Sequence, residues 1–188
     1  SIAYTAPALP AVFISNHTNA ASGTARGPIA IVYTGFEGTI HDTFRTTVYN
    51  RVATNWSVGY GGNYLANGNP LRSGQYGENN PNNVNQAGYQ TVPIFLGEWL
   101  FHDNASDMAL YHDPKFRRML GRGIYQGIVD HFAANNGGTA TYLPEPPRNL
   151  RVVTSSATQA TLTWTAPLSG RASGLGDAAT GYKVYQST

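Results

Sequence analysis

The chain has 188 residues, of which 41% are hydrophobic and only 12% are charged, so it can form a folded core. Its net charge of +2 gives no electrostatic reason to expect nucleic acid as a partner, and no apolar run is long enough to span a membrane. The sequence lacks cysteine, which excludes disulfides and thiolate zinc ligands, so any metal must be held by His, Asp or Glu.

The first part of the chain predicts two strands followed by a helix. Short apolar runs at 11–15 and 29–33 are typical of strands buried on both faces. A four-residue recurrence then predicts a helix over 39–56, with a stripe made of Ile40, Phe44, Val48, Val52 and Trp56. The stretch 57–90 is rich in Gly and Asn and predicts a long loop containing at most one short strand.

A third strand and a second helix complete the pattern of the first domain. The apolar run 92–97 predicts the strand, and Asp113 with Pro114 supplies a cap and a first-turn proline for the helix. An apolar stripe continues to Phe132, and Asn and Gly at 135–138 end the helix. Strands alternating with helices predict an α/β domain, with a mostly parallel twisted sheet and flanking helices.

The pattern changes after a proline-rich linker at 143–147, beyond which apolar residues recur with a period of two. The segments 147–152, 162–167 and 181–185 resemble the first three strands of a fibronectin type III module. We therefore expect an α/β domain over 1–142 and a partial β-sandwich over 148–188.

Two polar residues follow the predicted strands of the first domain. His17 follows the first apolar run directly, and Glu98 follows the run at 92–97. An imidazole and a carboxylate at the ends of buried strands indicate a zinc-bound water beside a carboxylate base. The alternative for His17 is a loop histidine without a metal-binding role. For Glu98 the corresponding alternative is a salt bridge to Arg26 or Arg45.

Three segments of the first domain agree in order and spacing with one family. They are FISNHTNA at 13–20, VPIFLGEWLF at 92–101, and the stretch 107–128 that ends in the second helix. Together they resemble the zinc-dependent N-acetylmuramoyl-L-alanine amidases, which are cell-wall hydrolases. The resemblance covers the C-terminal part of the amidase domain, and it implies an N-terminally incomplete sheet.

The resemblance implies roles for particular residues. His17 would be a zinc ligand, and Glu98 would be the catalytic carboxylate that moves a proton from water to the leaving amine. The family's other zinc ligands lie in N-terminal segments that this sequence does not contain. Glu78 and Asn19 are weaker candidates for the substrate groove.

Other residues could serve at such a site. Four further histidines are candidate substitute ligands, although surface or helix-end positions explain them equally well: His41, His102, His112 and His131. Four aromatic residues could stack on sugars or anchor loops: Trp56, Tyr60, Tyr64 and Tyr76.

The sequence thus predicts a peptidoglycan hydrolase of the bacterial periplasm or cell envelope, or a secreted one. Zn²⁺ is the expected cofactor and peptidoglycan the expected partner. The alternative is an inactive amidase-like protein with a structural or wall-binding role. A third hypothesis is that a companion chain carries the missing N-terminal half and covers the exposed sheet edge.

Overall fold

The computed structural model describes residues 12–61, 69–81, 92–156 and 158–185. The chain divides into two compact units, 1–139 and 140–188, and each is considered by itself.

The first unit is built on a four-stranded sheet. Its strands are β1 (Phe13–Asn19), β2 (Ile29–Tyr33), β3 (Leu71–Gly74) and β4 (Ile94–Phe101), arranged in the order β1-β4-β2-β3. The pairs β1–β4 and β2–β3 are parallel, whereas β2 and β4 are antiparallel. The sheet is therefore mostly parallel, as the sequence predicts.

Three helices accompany the sheet: α1 (Ile40–Tyr60), α2 (Ala105–His112) and α3 (Pro114–Asn135). The main core lies between the sheet, α1 and α3, and we call this side the helix face. Its buried residues include Phe44, Val48, Val52, Phe95, Trp99 and Phe116. A smaller cluster on the opposite side, the site face, contains Ala25, Ile29, Ile31, Leu96 and Phe101. None of the helices in the described ranges is long and apolar enough to cross a bilayer.

The helices α1 and α3 approach closely because glycine faces valine at their contact. A Cβ on Gly123 would lie 2.8 Å from the Val52 Cα, and one on Gly127 would overlap the Val48 backbone. A buried hydrogen bond of 2.8 Å from Asn55 Nδ2 to Gln126 Oε1 joins the same helices. The close packing at the glycines and this hydrogen bond would both be lost if the distance between the helix axes changed, so together they fix that distance.

The structure corrects several predicted boundaries. β1 and β4 continue to Asn19 and Phe101, so His17 and Glu98 lie inside strands rather than after them. Hydrogen bonding between β1 and β4 lengthens both strands, and the local composition of either segment does not reveal this pairing. β1 is also partly exposed and has a neighbour on only one side within the described sheet, so the prediction that it is buried on both faces is wrong.

The second unit contains an antiparallel pair, β5 (Arg148–Ser156) and β6 (Gln159–Thr165), with exposed side chains along most of its length. The predicted third strand at 181–185 does not form, although the Tyr182 ring packs edge-on against Trp164 at 5.1 Å. Tyr142 is buried in this unit. Its backbone N–H donates to Asp177 at 2.8 Å, and the Arg171 guanidinium lies over its ring.

We expect Gly127→Ala to destabilise the first unit by about 2–3 kcal/mol, because the new methyl group overlaps the Val48 backbone and forces the helices apart. Gly121→Ala is the matched control. It lies on the same helix with nothing within 4 Å of the added Cβ, and it should stabilise by about 0.5–1 kcal/mol. Urea unfolding followed by circular dichroism measures both. Equal effects of the two substitutions would contradict the close packing.

His131 should make the unit sensitive to acid. Its ring is buried against Phe44 with a centroid distance of 4.8 Å, and burial lowers its pKa below the usual 6.5. A lowered folded-state pKa contributes stability above the unfolded value, and that stability is lost as the pH falls through the folded value. The free energy of unfolding should therefore fall more between pH 7.5 and 5 in the wild type than in His131→Leu. An identical loss in both proteins would show that His131 is not responsible.

Candidate active site

The register of β1 and β4 places the two predicted site residues side by side. His17 pairs with Glu98 across the parallel ladder, so both side chains point to the same face. Glu98 is also opposite Ile29 of β2, whose side chain belongs to the cluster on the site face. The imidazole and the carboxylate therefore meet on the site face of the sheet.

Glu98 is half-buried and held by a neighbour on β1. Asn19 Nδ2 donates a 2.6 Å hydrogen bond to its Oε2. Burial raises the pKa of Glu98, and the nearby Glu78 adds to this effect, while His17, Arg72 and the Asn19 hydrogen bond oppose it. A carboxyl group with a raised pKa exchanges protons more readily near neutral pH than an ordinary glutamate does.

Glu78 reaches this site from a short 3-10 turn, Gly77–Asn79, which lies against β1, β2 and β4. The turn is fixed by the buried Asn79 side chain, which donates to the Ile31 carbonyl at 3.1 Å. Both weaker candidates for the groove, Glu78 and Asn19, therefore lie near Glu98.

His17 is exposed, and its ring makes no hydrogen bond to any residue that the structure describes. Its nitrogens are thus available to a ligand. A catalytic zinc ion needs three protein ligands. Across 12–61, 69–81, 92–156 and 158–185, no group of three His, Asp or Glu residues is placed to hold a metal. These residues alone do not fit a complete zinc site.

A β-bulge and a tryptophan fix the strand pair from the helix face. Two steps along β1, from His17 to Asn19, are matched by three steps along β4, from Glu98 to Phe101. The Trp99 indole folds over Gly97, where a Cβ would overlap it, and its Nε1 donates to Asn16 Oδ1 at 2.8 Å. Bulges of this kind redirect side chains next to functional sites. The hydrogen bond from the Trp99 indole to Asn16 thus joins β4 to β1 next to the pair His17 and Glu98.

Two aspartates that sequence reasoning missed hold the β1–β2 loop. Asp107 is fully buried and accepts hydrogen bonds from the backbones of Gly27 and Phe101. Asp103 accepts from the backbones of Ala21 and Gly23. The available signal was Asn104, which caps α2 by accepting from Ser106 and Asp107. It marks a helix start that the sequence analysis did not predict.

The competing assignments for Glu98 and the histidines are resolved by contacts. Arg26 pairs with Asp107 and Arg45 pairs with Asp42, so neither provides the alternative salt bridge to Glu98. His41 is buried and accepts from the Ile94 backbone, and His131 is buried in the helix core rather than serving as a helix-end cation. His102 and His112 are exposed, and the His102 ring lies 3.1 Å from the Thr18 hydroxyl.

Contacts also distinguish the aromatic candidates for sugar binding from residues that have a structural role. Trp56 is buried against Phe116, and the Tyr60 hydroxyl donates to Asp113 at 2.6 Å, so both anchor structure rather than bind sugar. Tyr76 is exposed beside the 3-10 turn, and Tyr64 lies outside the described residues.

Replacement of Glu98 by glutamine should stabilise the fold at neutral pH. Because the folded-state pKa of Glu98 is raised, the charged carboxylate destabilises the fold. This destabilisation grows as the pH rises through the folded-state pKa. Glu98→Gln removes the charge and keeps an oxygen for Asn19, so we expect a gain of about 0.5–1 kcal/mol at pH 7.5 that vanishes at pH 4. Unfolding midpoints at the two pH values measure this, and a lower midpoint at pH 7.5 would contradict it.

Comparison with known proteins finds similarity in structure only. No protein-family model matches the sequence, and no curated protein matches it significantly. An N-acetylmuramoyl-L-alanine amidase from Clostridium difficile 630 is similar with a TM-score of 0.50 and 18% identity, over 66% of this chain and 59% of that one. The CwlD amidase of Clostridioides difficile, solved with the GerS lipoprotein, gives a TM-score of 0.51 at 14% identity, over 66% and 55%.

The catalytic domain of CwlV, an amidase from Bacillus (Paenibacillus) polymyxa var. colistinus, is also similar, with a TM-score of 0.48 and 20% identity over 65% of this chain and 57% of that one. The chain therefore spans between 55% and 59% of the length of these three structures. The mixed α/β fold, with its mostly parallel sheet and flanking helices, is the fold of N-acetylmuramoyl-L-alanine amidase domains.

Proposed function

We propose that this chain takes part in hydrolysing the amide between N-acetylmuramic acid and L-alanine in peptidoglycan. The observation that carries the proposal is the cross-strand pair of His17 and Glu98, in which an exposed imidazole lies beside a half-buried carboxyl group. The amidase-like fold supports the choice of substrate.

Glu98 is the proton-transfer group in this proposal. Its carboxylate would take a proton from the attacking water and deliver it to the amine that leaves as L-alanine. The raised pKa of Glu98 suits both steps, because burial makes its carboxylate a stronger base than that of an exposed glutamate, which favours uptake of the proton that it later releases. Asn19, which donates to Oε2, fixes the orientation of the carboxylate and leaves Oε1 for the water.

We assign His17 as one ligand of a zinc ion. Zinc, when bound, would polarise the amide carbonyl and lower the pKa of water. The described residues do not provide a set of three ligands, so the proposal requires further ligands from outside those residues. A companion polypeptide is one source. It could add to the edge strand β1, which lies next to Glu98 and has a neighbour on only one side within the described sheet.

A substrate in the cell wall implies a location in the bacterial periplasm, in the cell envelope or outside the cell. The second unit would then be a fibronectin-like spacer or binding appendage. Its exposed apolar side chains on β5 and β6, among them Leu150, Val152 and Leu162, are consistent with a surface that contacts other protein.

The second candidate function is an inactive amidase-like protein that binds the wall. The incomplete ligand set among the described residues favours this candidate. It differs from the first in one measurable property, since it would bind purified sacculi and release no stem peptide.

Peptide release from sacculi with added zinc tests the proposal, using both this chain and the longest polypeptide encoded in frame with it. His17→Ala should lose bound zinc and activity. Glu98→Gln should keep the zinc but reduce release about 100-fold or more, because only proton transfer is lost. His112→Ala, which changes an exposed histidine at the end of α2, is the control and should match the wild type. Elemental mass spectrometry gives the zinc content.

The outcomes separate the candidates. Zinc bound in proportion to protein and lost in His17→Ala supports the metal assignment. Sacculus binding without peptide release, in both polypeptides, would overturn hydrolysis and leave the wall-binding function. Zinc retained by His17→Ala would show that His17 is not a ligand.

A further inference from the structure

A cationic side chain, Arg72, lies on the site face near the pair His17 and Glu98. Arg72 of β3 is paired with Ile31 of β2, and Ile31 is paired in turn with Leu96 of β4. Paired residues point to the same side of a sheet, as do residues two apart in a strand. Arg72, Leu96 and Glu98 therefore share one face.

The guanidinium of Arg72 is held in place without being neutralised. Its Nε donates a 2.8 Å hydrogen bond to the Asn69 carbonyl, and Arg45 donates to the Arg72 carbonyl, which fixes the backbone beneath it. Arg72 is exposed and forms no salt bridge with any residue that the structure describes. By contrast, Arg45 is paired with Asp42.

The surroundings of Arg72 would otherwise repel an anionic peptide. Glu98 and Glu78 bring two carboxyl groups to this face, and the charge of Arg72 is felt at Glu98. These two groups repel a ligand that carries its own carboxylate, and a cation placed next to that carboxylate would offset the repulsion. An arginine with free N–H groups binds a carboxylate with favourable geometry.

The spacing on the sheet indicates which part of a peptide Arg72 would meet. Two strand separations and two residues along the strand put the Cα atoms of Glu98 and Arg72 about 12 Å apart. Two extended peptide residues span about 7 Å, a length that fits between two side chains reaching from these Cα positions. A peptide cleaved beside Glu98 would thus place its second residue near the guanidinium.

We propose that Arg72 is a specificity-determining residue that selects peptides with a free carboxylate on the second residue after the scissile amide. This inference rests on the proposed function and extends it to the substrate's peptide. The carboxylate would accept hydrogen bonds from the two terminal nitrogens of Arg72, while Nε remains bonded to Asn69.

Binding of two matched probes to the full chain tests the inference. N-acetylmuramoyl-L-alanyl-glycine carries a carboxylate on its second residue, and the corresponding glycinamide is neutral there. The wild type should bind the carboxylate probe about three- to fivefold more tightly in low salt, and the preference should fade at high salt. Arg72→Gln should lose the preference, and Arg72→Lys should keep part of it. NMR titration at a fixed pH measures each dissociation constant.

Arg118→Ala is the control, since Arg118 is an exposed arginine on α3, which packs against the helix face. It should bind both probes like the wild type, and a far-ultraviolet spectrum shows that each variant is folded. Equal binding of the two probes by the wild type would overturn the role of Arg72 and leave the proposed function intact. The same holds if Arg72→Gln keeps the full preference. Binding of neither probe, without peptide release from sacculi, would overturn both.

Discussion

The parallel pairing of β1 with β4 is the constraint on which the candidate site depends. It puts His17 opposite Glu98, and a slip of one residue would move His17 to the helix face. The register is fixed from both sides of the sheet. Trp99 bonds to Asn16 on the helix face, and Asn19 bonds to Glu98 on the site face. Both bonds involve residues within two positions of His17 or Glu98, so each holds the register close to the pair.

The two faces of the sheet have different physical roles. The helix face buries large apolar side chains between the sheet, α1 and α3, and glycines at Gly123 and Gly127 let the helices meet closely. The site face buries a small apolar cluster and carries polar groups beside it, including a carboxyl group whose pKa is raised by burial. Stability is thus concentrated on one face, and the other holds a carboxyl group whose burial opposes folding when the group is charged.

The arginines near the sheet of the first unit differ in their partners. Arg26 and Arg45 pair with aspartates that hold a loop and a helix start, whereas Arg72 forms no salt bridge with any residue that the structure describes. Glu98 is therefore influenced by its neighbours without being neutralised in a salt bridge.

The sequence alone determined the features that depend on local pattern. The stripe from Phe44 to Trp56 specified α1, and Asp113 with Pro114 specified the start of α3, because periodicity and capping act within a few residues. Glu98 was also recognisable, since a carboxylate in an apolar run has few structural explanations. Only the tertiary structure decided the extension of β1, the antiparallel pairing of β2 with β4, the burial of Asp107 and the placement of Arg72. Each of these depends on a partner from another strand or loop, distant in sequence, and local pattern does not specify which distant segments will pair.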